Sequence, residues 1–232
     1  MNIKFRLYSF IILGMLFSTS CKKEETPINS DPTSVTDIDG NVYPVVKICG
    51  KFWMAENLRT TRYNDSTIIP TGLSNTAWGS TTLGAYAIYN DNAVNNTTYG
   101  KLYNWYAAHM TTLAPKGWHV ATEVELLELS TCLGGSAIAG GKLKSTSTLW
   151  VSPNVEASNS SGFNAQPAGW RGMGGGYSLI GEATYFWGSN ERNSTQGEYL
   201  ILQNDFGATR YNGATKTFGY SVRCVKIIKS IL

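Results

Sequence analysis

Four cysteines are the residues of this 232-residue chain best suited to covalent chemistry, and the first has the clearest setting. Lys4 and Arg6 precede an apolar run from Leu7 to Phe17, and Ser18, Thr19 and Ser20 lead directly to Cys21. Positive, apolar and small-residue regions in that order read as a secretion signal over residues 1–20, with an apolar core too short to span a bilayer comfortably. A cysteine freed by cleavage at that point takes a diacylglycerol thioether and an N-acyl, palmitate-type chain. Two or more chains anchor a protein stably where one is marginal. Cys21 is therefore expected to be the lipidated N-terminus.

The remaining thiols, Cys49, Cys132 and Cys224, are odd in number, so at most one disulfide forms and at least one stays free. His109 and His119 do not stand at zinc-ligand spacing from these cysteines. Glu123, Glu125 and Glu128 fall along one helix as a solvated face, and the glycines at 172 and 174–176 lack the setting of a dinucleotide fingerprint. Asp37, Asp39 and Asn41 resemble a calcium loop only in part. The glycine falls at the fourth position and the distal glutamate is missing, so a hairpin turn is expected. The reading is a protein that is not an enzyme and has no cofactor; a structural calcium is left open, with no ligands that the sequence names.

Binding chemistry is better represented. Trp170, Arg171, Tyr177, Asn190, Glu191 and Tyr211 lie in polar, glycine-rich stretches. Aromatic faces stack on the apolar faces of sugars, while amide, carboxylate and guanidinium groups satisfy ring hydroxyls. These six are the candidate ligand residues. Trp118, Trp150, Phe163 and Trp187 are expected in the core, and Arg171 and Arg223 also suit the pinning of loops through carbonyls.

Several elements must position these groups. Residues 22–36 are polar, hold two prolines and show no apolar period, so residues 21–36 read as a lipidated cysteine and flexible tether, with the domain spanning 37–232. Without Lys4 and Arg6, 17 basic residues face 16 acidic ones, and no basic stripe points to nucleic acid. Turns are expected at Asp39-Gly40 and Cys49-Gly50. A first helix is expected within 100–110. A second starts at the capping box Thr122 and Glu125 and ends at Gly134-Gly135. Tyr220 to Ile228 reads as a strand that pairs with the first strands, which makes Cys49 and Cys224 the preferred disulfide partners. Two helices, flanked by strands and followed by a loop-rich β half, define an α+β domain.

Seven segments carry a resemblance. GKFWMAENL (50–58), YGKLYNWYAA (99–108), APKGWHVATEVELLEL (114–129), LGGSAIAGGKLKS (133–145), LWVSPNVEASNSSGFNAQPAGWRG (149–172), FWGSNE (186–191) and GYSVRCVK (219–226) occur in the order seen in the FISUMP family, the Fibrobacter succinogenes major paralogous domain. Ala121, Ala114, Phe186, Gly188 and Asn190 depart from that family's pattern. The resemblance implies a sulfatase-modifying-factor-like, C-type-lectin-like architecture: a small antiparallel sheet joining the termini, two helices and long irregular loops. Among those distant relatives, the formylglycine-generating oxidases hold copper with two cysteines spaced five apart. Gly219 stands where the partner of Cys224 would be, which argues against that chemistry.

Lys22, Lys23, Glu24 and Glu25 resemble the surface-export signal of Bacteroidota lipoproteins. The combined expectation is an outer-membrane lipoprotein facing the cell exterior. Its partners would be the membrane, through the lipid anchor, and a glycan or surface protein, bound by a non-catalytic lectin-like domain. The alternative is a structural or assembly component of the envelope without a small ligand.

Overall fold

The computed structural model describes Met1 and residues 31–226, so the leader, Cys21, residues 22–30 and the end of the expected last strand lie outside the described residues. The chain divides into two compact units, Met1–Asp31 and Pro32–Leu232, and the elements that follow belong to the second.

β1 (Ser34–Thr36), β2 (Val42–Ile48) and β3 (Lys51–Met54) are successive antiparallel strands. β1 thus occupies the last residues of the segment read as tether. Cys49 and Gly50 connect Ile48 to its partner Lys51 with φ of 49° and 82°. Two left-handed residues are what a two-residue hairpin turn with the right twist requires, and Gly50 adopts its conformation without steric cost. α1 (Asn75–Ser80), β4 (Tyr86–Ala87), α2 (Val94–Tyr99), β5 (Leu102–Tyr103) and α3 (Trp105–Ala108) follow, with β4 and β5 paired. The helix expected within 100–110 is thus a single turn, because Leu102 and Tyr103 are extended. Asn104 then caps α3, its Oδ1 accepting from the Ala107 and Ala85 N–H groups.

β6 (Trp118–Val120) leads into α4 (Glu123–Cys132) and α5 (Ser136–Leu143). The capping box of α4 forms as its sequence implied: the Thr122 hydroxyl accepts from Glu125 N–H and the Glu125 carboxylate accepts from Thr122 N–H. β7 (Ala168–Arg171), β8 (Tyr177–Ile180), β9 (Ala183–Asn193), β10 (Gln196–Gln203), β11 (Arg210–Thr215) and β12 (Cys224–Lys226) complete the described elements.

The α+β, C-type-lectin-like expectation of a small sheet is overturned. The fold is mostly β, with two five-stranded sheets curled like half-barrels and short helices amounting to 19% of the described residues. Their orders are β1-β2-β3-β12-β6 and β11-β10-β9-β7-β8. The second sheet comes from the half read as loops. The first six residues of β9 are all buried, so the strand has no polar alternation by which a sequence pattern would reveal it.

The β9–β10 ribbon separates two cores. Tyr185 and Trp187, with Tyr199 and Ile201, pack on one face; Phe186, Leu200 and Leu202 pack on the other with Trp53, Leu126, Leu129 and Phe163. Side chains alternate across a strand, so adjacent residues serve different cores. Trp118, Trp150, Phe163 and Trp187 are all buried.

The same alternation corrects the disulfide. β12 lies between β3 and β6, with Val225 opposite Trp53 in the second core, so Cys224 points the other way into the first. Cys49, at the hairpin tip, instead meets Cys132 at the end of α4, and Cys224 is buried without a disulfide partner.

Candidate functional site

The six sequence-predicted ligand residues do not converge. Arg171 is buried at 2% exposure, its Nε donating to Gly175 O and its Nη2 to Leu73 O, with the guanidinium over the Trp78 and Tyr177 rings. Its donors hold the loop after β7 against α1. Asn190 accepts from Glu123 N–H through Oδ1 and from Trp105 Nε1 through its carbonyl. Glu191 pairs with Lys216, whose ammonium lies over Trp105. The Tyr211 hydroxyl donates to Leu126 O and bonds Ser130, fastening α4 to the second sheet. These four side chains hold elements together. Trp170 and Tyr177 border depressions at the surface.

The other polar candidates also have structural partners. Asp37 accepts from the Asp39 and Asn41 N–H groups, the Asn41 amide and the Tyr43 hydroxyl, while Asp39 bonds Thr60, Thr61 and Arg62. This is a hydrogen-bonded turn. Among the described residues no three His, Cys, Asp or Glu side chains converge to hold a metal ion. His109 stacks on Trp105 with ring centroids 4.4 Å apart, and His119 bonds Glu125. Arg223 is buried, donating to Asn57 Oδ1 and to the carbonyls of Met54, Phe163 and Asn164.

What the structure does assemble is an aromatic groove of about 390 Å³ on the first-core face of the β9–β10 ribbon. Trp170 from β7, Tyr185 from β9, Tyr199 from β10, and Phe218 and Tyr220 before β12 line it, with Gln196 and Thr215 among its polar residues. Tyr220 is the hub: its ring centroid lies 4.8 Å from Tyr185, 4.4 Å from Trp187, 5.1 Å from Tyr199 and 5.7 Å from Phe218. Its backbone exchanges hydrogen bonds with Tyr103, whose carbonyl also accepts from Trp187 Nε1. The cluster is therefore fixed by backbone as well as by packing.

None of the Tyr185, Tyr199 and Tyr220 hydroxyls has a protein hydrogen-bond partner among the described residues, and none is sealed from solvent. Hydroxyls that reach solvent keep their hydrogen-bonding capacity for water or for a molecule that displaces it. Burial, with Tyr199 beside it, pushes the Tyr185 phenol up to about 12, and burial likewise raises Tyr199 and Tyr220. All three remain neutral donors and acceptors at physiological pH.

Tyr185, Tyr199, Phe218 and Tyr220 were not singled out from the sequence as ligand residues. One signal was present: Tyr185 and Trp187, like Tyr199 and Ile201, stand at the two-residue spacing of one strand face. It becomes readable only once β9 and β10 are known to be strands.

Residues 46–226 match the family model described as the Fibrobacter succinogenes major domain, and the chain belongs to that family. No curated protein and no solved structure matches the chain.

Proposed function

We propose that this domain binds a glycan in the aromatic groove, without catalysis, as part of a lipoprotein displayed on the outer face of the cell. The observation that carries the reading is the set of open hydroxyls on Tyr185, Tyr199 and Tyr220 beside the rings of Trp170 and Phe218. Stacked rings match the apolar faces of sugars. Sugar hydroxyls both donate and accept, and so do the tyrosine hydroxyls, the Gln196 amide and the Thr215 hydroxyl.

Two observations support the non-catalytic and exported parts. No carboxylate, histidine, cysteine or lysine lines the groove, whereas glycoside hydrolysis in most families uses a pair of carboxylates. The Cys49–Cys132 bridge fits an oxidising compartment, the setting that the secretion signal expected over residues 1–20 would lead to.

A glycan array probed with the detergent-solubilised mature chain tests the reading. Reproducible sugar binding that Trp170→Ala abolishes supports it; silence on all sugars refutes it. Mass spectrometry of residue 21 tests the anchor, and an unmodified Cys21 would remove the proposed membrane setting.

The second reading, an envelope component without a small ligand, draws on a different surface. A cleft of about 440 Å³ lies between the β2–β3 hairpin and α4, lined by Ile48, Trp53, Val124 and Leu127 and closed by the disulfide. Val124 and Leu127 are 58% and 40% exposed, an apolar edge suited to protein contact. Retention of the chain in a defined envelope complex, together with a silent array, would favour this reading.

A further inference from the structure

A second depression lies beside the groove and shares a wall with it. Trp170 and Phe218 line both, their ring centroids 5.5 Å apart. Beyond this wall the second depression, of about 340 Å³, is lined by Gly172, Met173, Gly174, Gly176 and Tyr177. Three glycines lie in that lining beside Met173 and Tyr177, and their bare backbone lets a chain-like ligand approach closely. No charged side chain lines either depression.

The loop forming the second depression is built in advance of any ligand. Gly172 N–H donates to Gly176 O and Gly175 N–H to Gly172 O, closing a tight turn. Arg171 holds the turn from beneath through Gly175 O, and through Leu73 O ties it to the residues before α1. A Cβ at Gly175 would fall 2.3 Å from Asn75 Oδ1, so the loop is seated directly against α1. The ordering cost that binding would otherwise impose is already met by the fold.

We propose that the ligand is a neutral, unbranched oligosaccharide that straddles the Trp170–Phe218 wall, with units bound on both sides. This rests on the glycan reading of the groove. Each depression is near the lower end of the roughly 300–1,000 Å³ range of small-molecule sites, room for about one or two sugar units. Two such depressions meeting at one aromatic wall suit a polymer segment better than a single sugar. The lack of charge on either side favours neutral sugars over uronic or sialic acids, whose carboxylates would be desolvated without a partner.

The test is calorimetry of the mature chain with gluco-, manno- and xylo-oligosaccharide ladders running from disaccharide to hexasaccharide. Affinity is expected to rise by about tenfold or more as the ligand becomes long enough to cross the wall, equivalent to about 1.4 kcal/mol. Gly174→Leu adds a bulky side chain to the lining of the second depression. A Cβ at Gly174 meets nothing within 4 Å and its φ is not left-handed, so the fold tolerates the change. This variant is expected to erase the gain with length, and a denaturant melt coincident with that of the native chain reports that the fold is intact. Affinity independent of ligand length, or a length gain that survives Gly174→Leu, overturns the straddling mode but leaves the glycan reading standing. Preference for acidic sugars overturns the neutral-ligand claim. Absence of binding to any sugar, or binding of proline-rich peptides in their place, overturns both.

Discussion

Tyr220 lies face to face with Tyr185, ring centroids 4.8 Å apart and planes 18° from parallel, and neither hydroxyl meets a protein group among the described residues. The rings pack in the core while the hydroxyls have no protein partner, so packing and the proposed binding role separate by mutation. Tyr220→Phe keeps the stack and is expected to change stability by less than about 0.5 kcal/mol while weakening sugar binding by about tenfold. Tyr220→Ala removes the hub and is expected to cost about 3–5 kcal/mol. Denaturant melts alongside calorimetry check both. Equal sugar affinity for Tyr220→Phe and the native chain would deny the hydroxyl its role.

The Cys49–Cys132 bridge closes a loop of 83 residues in sequence separation. Cross-linking a loop of that length restricts the unfolded chain and is expected to stabilise by about 4 kcal/mol. Replacing both cysteines with alanine should lower the melting midpoint by roughly 10 °C, since each kcal/mol shifts a domain of this size by about 2–4 °C. Thiol titration gives an independent check. In the unreduced domain Cys224 should react only after denaturation, because it is buried. Rapid reaction of Cys49 or Cys132 in the native state would contradict the bridge.

Arg223 ties β3 and the chain around Phe163 to the last strand through Asn57 Oδ1 and the carbonyls of Met54, Phe163 and Asn164. Arg223→Met strands these acceptors in the interior and is expected to destabilise by about 3–5 kcal/mol. Lysine should not rescue it, because one ammonium cannot reproduce the planar fork that reaches both sides. Chemical denaturation of the two variants decides. A lysine variant as stable as the native chain would show that charge alone suffices.

Acid should weaken the fold through two carboxylates. Burial pushes Glu125 up, but the bonds from His119 and Thr122 outweigh it and bring the carboxyl from 4.5 down to about 2. Burial likewise raises Asp39, and Thr61, Arg62 and Thr60 outweigh it, bringing that group from 3.8 to about 2. Both hold their protons less tightly when folded than when unfolded. Their stabilisation is therefore complete above about pH 5 and is lost as pH falls toward 2. Glu125→Gln should flatten this acid limb and, by removing the charge that His119, Thr122 and Lys51 bond, cost about 1 kcal/mol at neutral pH. Stability measured between pH 2 and 7 tests the prediction, and an unchanged slope in Glu125→Gln would count against it.

Features whose causes are local were legible in the residues. The capping box of Thr122 and Glu125 started α4 where its spacing indicated, and the turns at Asp39-Gly40 and Cys49-Gly50 formed because their glycines adopt left-handed backbone. The ordered segments from Gly50 to Lys226 identified the family. Trp118, Trp150, Phe163 and Trp187 were read correctly as core because large aromatics embedded in such segments bury more favourably than they solvate.

Tertiary structure decided the rest. A strand buried on both faces, as in the first half of β9, carries no alternation, so the second sheet was hidden and the helices were given too much weight. The disulfide depended on which core each face of β12 meets, and the choice between Cys132 and Cys224 is not encoded near Cys49. Arg171 and Tyr211 resembled ligand residues by type, yet spend their donors on Gly175, Leu73 and Leu126. The groove joins Trp170, Tyr185, Tyr199 and Tyr220 from separate elements, and long-range packing alone brings their rings together and leaves their hydroxyls open.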